Sequence, residues 1–117
     1  MNWPASANKS TLSLGEMHHL FAGTLRDPVL RLTTSCAQAR CYGDLAGCAM
    51  VLAGRAEAWV EAGVQLWDLA ALKILVEEAG GRFTDFAGRD TAASGNCVAT
   101  NGHVHEHVLQ VLSARAS

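Results

Sequence analysis

The chain has 117 residues, 50% of them hydrophobic and 17% charged, and a formal net charge of −2. That length and apolar content predict one domain with a real core, not a disordered segment. The near-neutral balance gives no basic footprint for nucleic acid or an anionic membrane surface. No apolar run reaches the roughly 18 residues of a spanning helix. The opening "MNWPASANKSTLSLG" lacks the charged start and apolar centre of a secretory signal, so a cytoplasmic location is expected.

Residues 1–11 read as a flexible polar lead-in and 12–117 as a single α/β domain. In chain order, "LSLGEMHHLFA" at 12–22 suggests a short helix, and "RDPV" at 26–29 marks a turn, because proline restricts the residue before it. "VLRLTT" at 29–34 reads as a strand, as does the piece from Ala39 to Tyr42. "DLAGCAMVLA", from Asp44 to Ala53, is apolar nearly all round and predicts a buried helix stopped by Gly54. "AEAWVEA" at 56–62 alternates Glu57 and Glu61 with apolar neighbours, which suits a short strand.

A long apolar helix follows in "QLWDLAALKILVEEAGGRFTDF", where Leu69, Leu72, Val76 and Ala79 recur at spacings of three and four and share a face. Gly80 and Gly81 supply a left-handed cap, "RFTDF" at 82–86 returns as a strand, and "NCVAT" at 96–100 is another. A last helix over about 103–114 buries Val104, Val108, Val111 and Leu112 and leaves the histidines of "HVHEH" on the wet side. Helices alternating with strands predict a mixed sheet flanked by helices, with ligands bound where strands end and helices begin.

The four cysteines, Cys36, Cys41, Cys48 and Cys97, form no C-x-x-C and no zinc spacing, so they read as free thiols packed in the core. His103 and His107 lie four apart on one helical face, the spacing of a metal pair, but surface histidines are the simpler reading. His18 and His19 are adjacent and do not share a helical face. Asp68, between Trp67 and a run of alanine and leucine, has two readings: a cap on the helix N-terminus, or a metal ligand.

The Trp-Asp step, the small residues after it, the apolar helix and Glu-Ala-Gly-Gly before a strand resemble the C-terminal signature of the inositol monophosphatase superfamily of magnesium-dependent phosphatases. The preceding "YGDLAGCAMVLAGRAEAWVEAGVQLWD" resembles that family too, and its "GD" step is similar to the histidinol-phosphatase branch. The resemblance implies the C-terminal half of a layered sugar-phosphatase fold and Mg2+-dependent hydrolysis of a small phosphate monoester. It makes Asp68 a Mg2+ ligand and Gly43, Asp44 and Glu61 substrate-pocket residues. A hard carboxylate oxygen suits Mg2+, and a helix N-terminus suits the phosphate. A carboxylate at 44 suits a substrate carrying an ammonium group.

The family's other metal ligands, a Glu on an early helix and an Asp-Pro-x-Asp-Gly-Thr loop, find no counterpart. Asp27-Pro28 in "RDPVLR" lacks the Asp-Gly-Thr that would follow. The expectation is therefore half of a two-part site, inactive alone, with exposed apolar surface that drives self-association or binds an N-terminal-half partner. The alternatives are an inositol or other sugar monophosphatase, or a non-catalytic remnant acting as an interaction module.

Overall fold

The computed structural model describes residues 11–15, 17–41, 44–63 and 66–113, with the backbone alone at 44 and 45. Strand β1 (Thr11–Leu14) leads into the short helix α1 (Met17–Leu20), a 3-10 turn (Gly23–Leu25) and α2 (Arg26–Ser35). Then come β2 (Gln38–Cys41), α3 (Asp44–Leu52), β3 (Ala58–Ala62), α4 (Leu66–Glu78), β4 (Arg82–Thr84), β5 (Asn96–Thr100) and α5 (His105–Ser113). The strands form one mixed five-stranded sheet in the order β2-β1-β3-β5-β4. β1 runs parallel to both β2 and β3, and β5 is antiparallel to β3 and β4.

Alternate side chains along the strands feed two separate cores, one on each face. Leu12, Leu14 and Val60 pack with Leu32 of α2 and Val108 and Leu112 of α5. Trp59, Phe83, Cys97 and Ala99 pack with Cys48 of α3 and Leu69, Leu72 and Val76 of α4. Helix α3 approaches the sheet closely at Gly47, where a Cβ would stand 2.6 Å from the Trp59 ring and 2.7 Å from Ser13 Oγ. Glycine is required there by contact.

The structure corrects the sequence reading at several points. Residues 12–14 belong to a central strand, and the helix expected over 12–22 shrinks to the four residues of α1. The strand expected at 29–34 lies inside α2. Pro28 is the third residue of that helix, where no intrahelical N–H bond is needed, and Asp27 sits favourably in the first turn. Thr33, Thr34 and Ser35, which locally favour a strand or a turn, turn their hydroxyls onto the carbonyls of Leu30, Arg31 and Leu32.

The third correction concerns histidine. His105 and His107 are buried, and of the three histidines in the "HVHEH" run only His103 lies in solvent. Helix α5 begins at His105, so His105 enters beneath the sheet instead of continuing a wet face. Its Nε2 lies 2.8 Å from Thr84 Oγ1 and its Nδ1 2.9 Å from Thr100 Oγ1. Thr84 also donates to the Asp85 carbonyl, and Thr100 Oγ1 also accepts the Gly102 N–H. One hydroxyl proton each leaves a single solution: a neutral ring protonated at Nε2, accepting at Nδ1.

The two glycines after α4 do different work. Gly80 takes the left-handed conformation at φ 88°. Gly81 does not, but a Cβ on it would collide with the Thr100 carbonyl. Ala79, expected on the buried face, is exposed. Of the thiols, Cys48 and Cys97 are buried, Cys36 is half-buried, and Cys41 is exposed on β2. Burial pushes the Cys48 thiol up to about 11 and the Cys97 and Cys36 thiols upward, so these three stay protonated near neutrality.

Candidate active site at the parallel strand ends

Because β1, β2 and β3 are parallel, their carboxyl ends meet at one edge of the sheet. β2 and β3 lead there into the N-termini of α3 and α4. Open α/β sheets bind ligands at such an edge, where helix N-termini favour anions.

Glu61 is the fourth residue of β3 and is fully buried, although its alternation with apolar neighbours would suit the wet face of a strand. It points to the α3/α4 side of the sheet, the same side as Trp59, opposite Cys97 of β5. Its Oε1 accepts the Ala62 N–H at 2.8 Å. The carboxylate lies over Gly15 at the end of β1, in space that a Cβ on residue 15 would fill. Gly15 N–H in turn donates to the Val60 carbonyl at 2.8 Å, which holds the two strand ends together. A buried carboxylate is costly unless it is fixed by donors or used on a ligand.

Asp68 is the third residue of α4 and exposed. It therefore lies within the first helical turn and not at the cap position. Its charge still suits the positive end of the helix. Among the described residues its carboxylate makes no hydrogen bond or ion pair. It offers a hard, open oxygen pair of the kind Mg2+ takes.

Asp44 opens α3 at the same edge by its backbone, while its side chain and the whole of Gly43 lie outside the described residues. Among the described residues no group of three or more His, Cys, Asp or Glu side chains is placed to hold a metal ion. The residues present fit one corner of a Mg2+ site.

Three further residues at this edge escaped the sequence reading. Gly15 is the seat of Glu61; a lone glycine at a strand end signals close approach, but the segment reads locally as helix. Gly63, with φ 76°, lies beneath the His19 ring. Cys41 Sγ donates to the Gly15 carbonyl at 3.1 Å. His18 and His19 do come together, edge to face with ring centroids 5.7 Å apart, because α1 is a single turn.

A mixed five-stranded sheet with a buried carboxylate at its parallel strand ends, and an acidic residue in the next helix turn, defines an α/β fold with a polar strand-end edge. The sequence places it more narrowly: residues 6–116 match the model of the inositol monophosphatase family, and the chain belongs to that family. It is 37% identical over 110 residues to a histidinol-phosphatase of Mycobacterium tuberculosis, covering 94% of this chain and 42% of that protein. The fold superposes on an inositol monophosphatase of Thermotoga maritima with a TM-score of 0.77 at 30% identity, covering 96% of this chain and 44% of that one. A TM-score of 0.76 relates it to an inositol monophosphatase/NADP phosphatase solved with Mg2+ and phosphate, 22% identical, over 100% of this chain and 45% of that one. The chain thus spans less than half the length of these relatives.

Proposed function

We propose that this chain supplies the C-terminal half of a Mg2+-dependent phosphomonoesterase site of the histidinol-phosphatase type, acting in the cytoplasm. The observation that carries the reading is the buried Glu61 carboxylate at the strand ends, with Asp68 open in the next helix turn, in a member of this family. The likeness to a histidinol-phosphatase supports the substrate class, and the relative solved with Mg2+ and phosphate supports the metal. Free thiols suit a reducing compartment.

Asp68 would hold Mg2+ through a carboxylate oxygen. When bound, the metal polarises the phosphoryl group and makes water a better nucleophile. Glu61 has one oxygen fixed by the Ala62 N–H and is held over Gly15, so it is preorganised to accept a hydrogen bond from the alcohol portion of the substrate. Asp44, at the start of α3, would pair with a substrate ammonium group and disfavour a neutral polyol.

The partner in this reading is the remaining half of the family fold, docked on the outer face of α3 and α4. Helix α4 exposes Leu66, Trp67, Ile74 and Leu75, with Trp67 69% accessible, and α3 adds Leu52. The outer face of α2 and α5 instead carries Arg26, Asp27, Thr34, Glu106 and Gln110, with Leu30 among them. One helical layer is finished for water and the other is not. Asp68 lies in the first turn of that unfinished layer, so a half docked there would bring its own carboxylates toward it.

The test is complementation. The chain is combined with the N-terminal half of a histidinol-phosphatase, and phosphate release from histidinol phosphate and inositol monophosphate is followed with Mg2+ and with EDTA. The expected result is Mg2+-dependent hydrolysis that favours histidinol phosphate. Asp68→Asn should lower it about 100-fold or more with the assembly intact, and Asp44→Ser should erode the preference for the amine. A folded assembly without hydrolysis, or an Asp68→Asn assembly at full rate, would overturn the reading and leave an interaction module.

A further inference from the structure

We propose that His19 is a specificity residue of this site, presenting the Nε2 edge of its ring to the alcohol portion of the substrate beside Glu61. The proposal rests on the phosphatase reading above.

The His19 ring is laid onto Gly63. Its Nδ1, Cγ and Cε1 lie 2.5, 2.7 and 2.8 Å from the point where a Cβ on residue 63 would stand. The ring therefore occupies the side-chain space of residue 63, with its Nε2 edge turned away from the backbone. Gly63 is constrained twice, by this approach and by its φ of 76°, and its N–H donates to the Gly95 carbonyl at 2.8 Å. Any other residue at 63 would be strained and would displace the ring. His18 meets the ring edge to face, and Leu20, buried in the core, anchors the far side of the turn.

The position gives the contact meaning. Gly63 lies two residues past Glu61, whose carboxylate lies over Gly15, and α1 begins two residues after Gly15. The seat of His19 on Gly63 and the seat of Glu61 on Gly15 thus both lie where β1 and β3 end, and the ring is open to solvent. A carboxylate is acceptor-only, whereas an imidazole offers a donor or an acceptor and a flat face. An alcohol whose hydroxyl can donate to Glu61 and whose polar ring can meet His19 satisfies both groups. A glycerol phosphate lacks the ring that His19 would meet.

The chain, assembled with the N-terminal half of a histidinol-phosphatase and Mg2+, is titrated calorimetrically with histidinol phosphate and with glycerol 2-phosphate, and circular dichroism checks each variant's fold. His19→Ala should weaken histidinol phosphate about 10-fold, the worth of one good hydrogen bond, and leave glycerol 2-phosphate within about twofold. His19→Gln should recover part of the loss. Gly63→Ala should weaken histidinol phosphate in the unmodified chain and add little in the His19→Ala background, because the ring it displaces is already gone. Unchanged affinity in His19→Ala, or equal loss on both ligands, overturns the proposal. If Asp68→Asn weakens both ligands while His19→Ala does nothing, the phosphatase reading stands and the role of His19 falls. If the assembly with the unmodified chain binds neither phosphomonoester with Mg2+, both fall together.

Discussion

Lowering the pH should destabilise this domain through one ring. His105 has no accessible surface, and both its nitrogens are committed to threonine hydroxyls. A second proton would have to sit on Nδ1, which accepts from Thr100, so protonation costs a hydrogen bond as well as burial of charge. Burial, helped by the nearby Arg82 cation, lowers its pKa from 6.5 to about 4. The unfolded chain then takes up a proton near pH 6.5 that the folded chain refuses until about pH 4. The stabilisation is therefore complete above pH 6.5 and is lost progressively as the pH falls toward 4. At roughly 1.4 kcal/mol per pH unit, the full interval corresponds to about 3 kcal/mol, a large share of a small domain's stability. Most of that should be gone by pH 4.5.

The assay is urea unfolding of the chain at pH 7.5, 6.5, 5.5 and 4.5, followed by circular dichroism. His107, whose pKa burial also lowers, titrates in the same direction, so His107→Gln serves as a parallel control. His105→Asn should start less stable, because it leaves threonine hydroxyls unpaired, but its stability should fall less steeply with acid. An unchanged slope in His105→Asn, or a wild-type loss under about 0.5 kcal/mol over this range, would refute the reasoning.

Removing the cation beside this ring with Arg82→Met should raise the His105 pKa and shift the acid-sensitive window upward toward the unfolded value; ring-proton NMR titration reads it directly. Gly47→Ala should cost about 1–3 kcal/mol by overpacking, because its methyl group meets Trp59 and Ser13, and near-UV circular dichroism should report the displaced indole. The glycines after α4 should separate in urea unfolding. Gly80→Ala meets only the penalty of its left-handed backbone, about 1 kcal/mol, whereas Gly81→Ala meets the Thr100 carbonyl and should cost more.

Much of the fold was legible because its pattern is local. Leu69, Leu72 and Val76 keep helical spacing over a long segment, and α3, β3, β5 and α5 lie close to where their apolar runs place them. The segment from 12 to 34 was not legible. β1 is only four residues long, so the alternation of Leu12 and Leu14 with Thr11 and Ser13 is too short to stand out from the segment that follows it. α2 carries a proline and a run of threonine and serine that argue against helix until the core claims Val29 and Leu32. The candidate site divides along the same line. The Trp-Asp step and the glycine-acid step could be read as a resemblance, since they are contiguous. The seat of Glu61 on Gly15 and of His19 on Gly63 joins residues far apart in sequence.

By itself the sequence determined the family and the order of most elements, because these follow from contiguous motifs and the 3.6- and 2-residue periods of the backbone. Only the tertiary structure decided which polar groups lose contact with water. Glu61 and the histidines at 105 and 107 read locally as surface residues. They are buried because the sheet and a second helical layer close over them, and closure is a property of packing that no short window of sequence contains.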